Sequence, residues 1–476
     1  MRRTRTTLLT IAAVLLTSVC APLLSAQEAD KSPKPAARAY APIGESSGNQ
    51  SEEVAPVVLA DTRPLTGAQV PTLGSPELQH SYWVPGIQYG NVAKSSSTLD
   101  RTVSNWNSTS YVAGNVSLVE FWRHAQLNVS YSGGSHFSTD DAVGNGQYQQ
   151  LGLMQQFDWR KWQLSFLDQF SYLPEAQFGF GAGTNLSLPG IGGPLGIQPP
   201  GLQASYVPSQ SLYSALGPRY SNAFASQISY RVSPRGYLTA TGSYGILHFT
   251  EAGNIDTFDA ILNGGYSYQI SKFDTLGVAY RFTSYHFADQ PQAIGSQTAQ
   301  VFYGRKLTGR LALLLSGGPE ISHFRVSIGA MRQHVSGAGT ANLTLAATER
   351  TTLSAGYTHA VSGGSGVFTG SLSDQVDGSV EHEFTKAWRG GLNFGYAHNS
   401  SIESNGVSNL PTFDNWYAGA NIERSLGRNA HLSVAYTAYL ENSSGPVSIP
   451  GTPATSFTLH EITIEFGWHT RPFILR

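Results

Sequence analysis

Apolar side chains recur at every second position along most of this chain of 476 residues. In the segment 258–270, one set of alternate positions reads Phe, Ala, Leu, Gly, Tyr, Tyr, Ile, and the positions between are polar with one exception. The segment 431–441 alternates in the same way, with Leu432, Val434 and Tyr436 on its apolar side. Such alternation assigns one face of a β-strand to an apolar medium and the other face to water. The chain is therefore predicted to be all-β.

Short polar turns separate these strands at steady intervals. Their centres lie near residues 123, 160, 235, 273, 308, 349, 387 and 428. Longer polar connections alternate with the turns, as at 139–146, 288–296 and 399–413. Short turns on one side and long loops on the other are typical of a transmembrane antiparallel β-barrel with periplasmic turns and external loops. A soluble sandwich or propeller also alternates, but it packs its apolar face inward.

The number of strands follows from the turns. Eight short turns join sixteen strands, and the segment 459–469 adds one more after the last long connection. Because both ends of the chain should lie on the periplasmic side, the segment 82–92 is needed as a first strand. The prediction is about 18 strands, and 16 stays open because Pro85 cannot donate to a strand ladder. A barrel of either size is wide enough for an aqueous lumen.

The N-terminal part of the chain divides into two segments before the barrel. Residues 1–26 begin with three arginines, continue with an apolar stretch and end in small residues, which predicts a secretory signal peptide. Residues 27–81 are rich in proline and alanine and predict a disordered periplasmic segment. Residues 82–476 form the predicted barrel. Removal of 1–26 also removes Cys20, the single cysteine, and leaves 26 basic against 31 acidic residues, a net charge of −5.

Composition excludes some classes of partner and places the aromatic residues. A slightly acidic chain with only 13% charged residues is not a nucleic-acid binder driven by net basicity. Aromatics make up 11% of the chain. Four His-Phe pairs, at 136–137, 248–249, 286–287 and 323–324, are expected at strand ends, where an aromatic girdle would meet lipid headgroups.

The exported chain, its alternating strands and its aromatic closing strand 462–468 resemble a bacterial outer-membrane β-barrel of the porin-like kind. The resemblance covers residues 82–476 and is architectural, without a unique motif. It implies a place in the outer membrane, with membrane lipid and the assembly machinery as partners. Such barrels usually end on an aromatic residue, whereas here Phe473 is followed by Ile474, Leu475 and Arg476.

The longest connection lies between the fifth and sixth strands and is the third external loop. In porins the corresponding loop folds into the channel and narrows it. Here it is rich in Gly and Pro and poor in charge, and two arrangements stay open, an inward constriction or a loop on the outer surface. The candidate constriction residues are Phe178, Phe180, Leu186, Ile191, Pro194, Pro199 and Pro200.

Inward-facing charges are the candidate pore-lining residues. Basic candidates come from the sixth and ninth strands, and acidic ones from strands fourteen, sixteen and eighteen. The set is Arg231, Arg281, Asp377, Glu381, Glu423, Glu461 and Glu465. Opposite signs on opposite walls would create a transverse field that orients dipolar solutes. The alternative is that those near the turns are solvated rim residues.

Asp168 departs from the alternation, because Phe166, Phe170 and other apolar residues share its face. A carboxylate facing lipid near the middle of the membrane is costly. A local bulge or burial against a neighbouring copy of the chain would reduce that cost, and the sequence does not choose between them.

No catalytic or metal-binding motif stands out, since the thirteen histidines are scattered and lack Cys partners or zinc-enzyme spacing. No enzymatic activity, metal or cofactor is therefore expected. The leading hypothesis is a channel for passive diffusion of small hydrophilic solutes. The alternatives are a structural or adhesive barrel whose external loops contact ligands and, less favoured, a hydrolase built on a barrel. The sequence leaves the solute and a homo-oligomeric state open.

Overall fold

The computed structural model describes eleven ranges of the chain: 81–98, 101–139, 144–173, 218–250, 255–288, 292–325, 331–363, 370–402, 412–427, 429–444 and 456–475. The side chains of 96–98, 101–105 and 456–457 are not part of this description. The predicted signal peptide and the segment 27–80 lie outside these ranges. Within them no helix is long and apolar enough to span a membrane.

The described residues form a closed antiparallel sheet. Its strands are β1 Tyr82–Thr98, β2 Arg101–Trp122, β3 Ala125–Ser138, β4 Gly146–Asp158, β5 Trp162–Leu173, β6 Arg219–Ser233, β7 Gly236–Phe249, β8 Thr257–Gln269, β9 Asp274–Phe287, β10 Ala293–Lys306, β11 Leu311–Arg325, β12 Met331–Thr348, β13 Thr351–Ser362, β14 Ser371–Thr385, β15 Trp388–Ser401, β16 Thr412–Ser425, β17 Ala430–Ser444, β18 Ser456–His469 and the short β19 Phe473–Ile474. Each strand from β1 to β18 pairs with its neighbours in sequence. Finally β18 pairs with β1, from Gly86 opposite His469 to Thr98 opposite Phe457. The predicted all-β barrel of about 18 strands is confirmed.

Outward and inward faces alternate as expected. On β8, Leu262 is 61% exposed on the outer face, whereas the adjacent Ile261 is 1% exposed on the inner face. On β17, Leu432, Val434 and Tyr436 are all exposed on the outside. The apolar rows therefore cover the outer wall, where lipid is the apolar medium.

Hydroxyl side chains fix several of the short turns. Thr385 Oγ1 accepts hydrogen bonds from the backbone N–H groups of Ala387 and Trp388, both at 3.2 Å. Four other turn residues each use their hydroxyl to accept a hydrogen bond from the backbone N–H two positions further along the chain: Ser233, Ser271, Thr308 and Thr348. A hydroxyl that takes over a backbone bond in this way favours a tight turn. These local contacts set the register of the hairpins on the periplasmic side.

The two ends of the barrel sequence meet at β1. Pro85 lies within β1 opposite Val116 of β2, so the proline does not end the strand. Its carbonyl accepts a hydrogen bond of 3.0 Å from the backbone N–H of Thr470. Further along, Phe473 of β19 stacks on Trp83 with ring centroids 4.9 Å apart. Phe473 therefore extends the pairing between the two ends of the barrel, although three residues follow it in the sequence.

The barrel wall is split between β12 and β13 near their extracellular ends. Pairing between β12 and β13 ends at Gly339 opposite His359. Beyond that point, Met331–Ala338 of β12 pairs with β11 alone. Met331 and Val335 are both 63% exposed there. The extracellular end of β13 is thus released from the wall on its β12 side.

The expectation for the His-Phe pairs is correct in position but wrong in detail. All four pairs lie near the extracellular ends of β3, β7, β9 and β11. However, Phe249 and Phe287 are buried on the inner face, and Phe324 shares the inward face of β11 with Glu320. Strand parity then turns the histidine of these three pairs outward. Only the first pair presents its phenylalanine, Phe137, to the outside.

Asp168 does lie on the outer face, and no bulge turns it away. β5 stays in continuous register with both β4 and β6. Instead, the amide Nδ2 of Asn222 on β6 donates a hydrogen bond of 3.0 Å to Asp168 Oδ1. Asp168 is therefore accompanied by a polar partner on the adjacent strand and not by a bulge.

Replacing this pair by two leucines should stabilise the folded barrel if the pair faces lipid. We expect Asp168→Leu together with Asn222→Leu to raise the free energy of unfolding by about 1–3 kcal/mol, because two polar groups leave the apolar face. Urea titration of the refolded protein in lipid vesicles measures this. The inward-facing Gln169→Leu is the control and should give no gain. A lower stability of the double variant, with loss of an oligomer, would instead place the pair at a contact between copies.

Candidate pore lumen

Small polar side chains line part of the inner wall, and buried apolar side chains such as Met154, Leu167 and Ile261 line other parts of it. The buried polar residues on the inner face include Asn115, Ser117, Ser132, Thr239, Thr241, Asn263, Thr298, Asn415, Thr437 and Thr463. Their hydroxyl and amide groups can form hydrogen bonds with water, whereas the outer wall presents apolar side chains. This polarity is what the alternation required of the face turned away from lipid.

Three of the predicted acidic residues lie beside basic neighbours on adjacent strands. Glu461 Oε2 is 3.5 Å from Lys94 Nζ of β1, and Glu423 Oε1 is 3.0 Å from Arg389 Nη2 of β15. Glu465 is 3.6 Å from His431 Nε2 of β17 and also accepts a hydrogen bond from Gln88. Lys94, Arg389 and His431 were absent from the candidate set. Because each carboxylate has a basic neighbour, these strands do not form a wall of one sign.

The four other charged candidates occupy different heights. Arg231 is exposed at the periplasmic end of β6, where Nη2 donates a 3.2 Å hydrogen bond to the carbonyl of Arg160. Glu381 is exposed near the periplasmic end of β14. Arg281 and Asp377 lie nearer the middle of β9 and β14. The predicted transverse field, which stays a prediction, would rest mainly on these two.

Glycines make room for Asp377 against the wall. It pairs in register with Gly356 of β13 and Gly395 of β15. A Cβ built at Gly356 would lie 2.7 Å from Asp377 Oδ1, and one built at Gly395 would lie 2.2 Å from the ring of Tyr417. The carboxyl and the phenol can therefore lie flat along the inner wall only because those two positions lack side chains.

The split between β12 and β13 lets the end of the β13–β14 hairpin turn into the lumen. The backbone N–H of Val361 donates a 3.4 Å hydrogen bond to Glu320 Oε2 on β11, and the carbonyl of Val361 accepts one of 3.5 Å from the hydroxyl of Tyr285 on β9. Ser296 of β10 donates to the other oxygen of Glu320. A side chain thus satisfies the backbone group that β12 would otherwise have paired.

Apolar contacts hold this hairpin end in place. Val361 packs in one buried cluster with Tyr285, Phe287 and Ile294, and Leu372 of β14 packs against it. A Cβ built at Gly363 would lie 3.3 Å from Thr257 Cγ2 on β8. The described ends of the hairpin, Val361–Gly363 and Gly370–Leu372, therefore reach from β13 and β14 across the inner face to β8. This inward end, called here the inner hairpin, narrows the lumen.

The charged residues nearest the inner hairpin lie on β8, β9 and β11. Asp259 interacts electrostatically with Arg281. Tyr285 interacts electrostatically with both of these residues and with Glu320. Asp259 is 2% and Glu320 3% exposed. Asp259 and Glu320 are therefore packed into the wall beside the inner hairpin, and Arg281 is the partly exposed charged side chain of this group.

A cysteine pair should trap the inner hairpin where the structure places it. The chain beyond residue 26 has no cysteine, so Thr257→Cys with Gly363→Cys gives an unambiguous reagent. The short separation of Gly363 from the Thr257 side chain suits a disulfide. We expect cross-linking after oxidation, detected by mass spectrometry of the digested barrel. Thr241→Cys with Gly363→Cys is the control, and absence of a cross-link in the first pair alone would contradict the inward position.

The predicted constriction in the third external loop, with all of its seven candidate residues, lies outside the described residues. The narrowing seen in the described part comes from a different connection, the seventh. Among the described residues no group of three or more His, Cys, Asp or Glu side chains is placed to hold a metal ion.

Sequence signals existed for only some of the missed residues. Asp259 falls on the polar side of the clearest alternating segment, 258–270, and could have been added on that ground. Lys94 was missed because the first strand was expected to end at residue 92 and continues to Thr98. The role of Glu320 depends on the split wall, which leaves no trace in the local pattern.

Known proteins resemble this chain at the level of structure. No family model matches the chain, and no curated protein matches it. Among solved structures it is similar to OccK2 (OpdF) of Pseudomonas aeruginosa, with 11% identity, a TM-score of 0.43, and coverage of 81% of this chain and 98% of that one. The outer membrane protein OpdK of the same organism gives 12%, 0.42, 82% and 99%. OccAB3 of Acinetobacter baumannii gives 12%, 0.40, 82% and 99%.

Proposed function

We propose that the chain is an outer-membrane channel through which small hydrophilic solutes diffuse down their concentration gradients. The observation that carries this proposal is the closed barrel of 18 strands with a polar inner face narrowed by the inner hairpin. A barrel of this size leaves space that its own inward side chains do not fill. Arg281, which is partly exposed beside the narrow zone, supplies a contact for polar solutes. We expect no enzymatic activity.

Planar-bilayer recording of the refolded barrel tests the channel directly. Discrete, ohmic current steps in salt solution are expected, together with swelling of liposomes that contain the protein in solutions of small sugars or amino acids. A structural or adhesive barrel would insert without current steps and would not permit swelling, and that result would overturn the proposal. Heat-modifiable migration in gels confirms that the inserted protein is folded in either case.

A further inference from the structure

Histidines form a girdle on the outer wall at its extracellular end. Six of the thirteen histidines lie within four residues of the extracellular end of a strand and face outward by strand parity: His248, His286, His323, His359, His398 and His460. At the periplasmic end, His382 is the one histidine that the described strands turn outward. Arg325, two residues beyond His323, extends the girdle on the same face. Among the described strands, outward-facing histidines are therefore concentrated at the extracellular end.

Two members of this girdle share one geometry. His359 Nδ1 lies 2.7 Å from Asp374 Oδ1, and the hydroxyl of Tyr357 donates to the same oxygen at 2.7 Å. On the next hairpin, His398 Nδ1 lies 2.8 Å from Asp414 Oδ1. There too a tyrosine hydroxyl, that of Tyr396, donates to the shared oxygen at 2.7 Å.

The carboxylates fix how each imidazole is oriented. An ionised carboxylate only accepts hydrogen bonds, so Nδ1 must carry the hydrogen in both pairs. The second ring nitrogen, Nε2, is then left for a group outside the protein. His248 and Asp256 form a third pair of this type on β7. The girdle thus contains imidazoles anchored by one nitrogen, each with the other nitrogen available.

The neighbours of the two best-defined pairs set their charge. His359 lies opposite Asp374 of β14 and Gly339 of β12 on the adjacent strands. His398 lies opposite Asp414 of β16 and Asp374 of β14. With a neutral ring each pair carries one negative charge and repels anions. With a protonated ring each pair is neutral and offers an Nε2–H donor. An anion is therefore bound by the form of each pair that carries the protonated ring.

The height of the girdle indicates its ligand. Directly beside His398, Tyr396 and Trp416 pack with ring centroids 4.2 Å apart, and Trp416 is 51% exposed. Exposed Trp and Tyr mark the level of lipid headgroups. On the extracellular side of the outer membrane, that level holds the phosphates of the outer-leaflet glycolipid. Imidazolium N–H groups form charge-assisted hydrogen bonds with phosphate oxygens.

We propose that the histidine girdle binds the phosphate groups of the outer-leaflet glycolipid. The six histidines and Arg325 provide donors over twelve of the eighteen strands, from β7 to β18. The site lies on the outer wall and is separate from the lumen, so it goes beyond the proposed channel.

Binding of diphosphoryl lipid A to the refolded barrel in detergent tests this proposal. Native mass spectrometry counts the lipid A molecules retained at pH 6. With glutamine at all six girdle positions, the affinity should fall at least about five-fold, since several charge-assisted bonds are lost. Lipid A without its phosphates should bind both proteins equally weakly. His382→Gln with His124→Gln, at the periplasmic end, is the matched control and should bind as the parent does.

Two further measurements distinguish phosphate binding by the histidines from phosphate binding through a bridging cation. Equal binding by the parent and the folded glutamine variant would overturn the proposal. So would binding that EDTA abolishes and that is lost with Asp374→Asn and Asp414→Asn, because a divalent cation on the carboxylates would then hold the phosphate. Single-channel conductance should be the same in every variant, which keeps this test independent of the channel.

Discussion

Trimming the inner hairpin is expected to raise the single-channel conductance about two-fold or more, because it removes the obstacle from the narrow zone of the lumen. Ala360 and Ser373 are partners in register on β13 and β14, so a two-residue Asn-Gly turn can join them. The shortened protein loses Val361 and Leu372, the two contacts that hold the hairpin end against the inner wall. Recording in planar bilayers at high salt measures the effect.

The disulfide-linked Thr257→Cys and Gly363→Cys barrel is the matched comparison for trimming. If the inner hairpin already lies inward in the working channel, the link leaves the conductance at the parent value. A trimmed barrel that is folded in gels but conducts like the parent would show that the narrow zone lies elsewhere. A linked barrel that conducts less than the parent would show that the hairpin spends time outside the lumen.

Removing one member of the Lys94–Glu461 pair should change ion selectivity strongly. With Glu461→Gln, the ammonium 3.5 Å away loses this carboxylate, and the lumen wall gains one net positive charge. We expect the permeability ratio of chloride to potassium to rise about two- to five-fold, since a fixed charge in a narrow aqueous space concentrates its counter-ions. Reversal potentials across a salt gradient measure this ratio.

The double variant Lys94→Gln with Glu461→Gln separates pairing from simple loss of a carboxylate. Both proteins lack Glu461, but the double variant also lacks the basic partner and restores the original sum of charges. Its reversal potential should return close to the parent value. If the single and double variants behave alike, the pair does not face the conducting path.

The fold was predictable because the membrane imposes its requirement on every strand. Leu262 and Ile261 are neighbours in sequence and differ in exposure by 60 percentage points, and the alternation around them carries that information locally. The turns were predictable for a similar reason, since residues such as Ser271 and Thr385 form their bonds within three residues. Closure of β18 on β1 followed from the requirement that a barrel in lipid has no free edge.

The site was less predictable because its contacts join distant strands. The bond between Val361 and Glu320 spans 41 residues and exists only because β12 leaves β13. The pairs that neutralise Glu423 and Glu461 depend on which strands are neighbours and on their register, including the closing seam. Alternation assigned these carboxylates to the inner face, but it contains no information about what lies beside them.

Because β12 and β13 are not paired near their extracellular ends, these strands are easier to separate there than near the periplasmic turn. Every second amide of Met331–Ala338 points to the side where no strand of the described barrel pairs with it. Hydrogen exchange at these amides needs no strand separation, whereas at Gly339–Ala346 it requires the ladder to break. Separation of the strands under denaturant or mechanical load should accordingly begin at the extracellular rim beside β13 and travel toward the periplasmic turns.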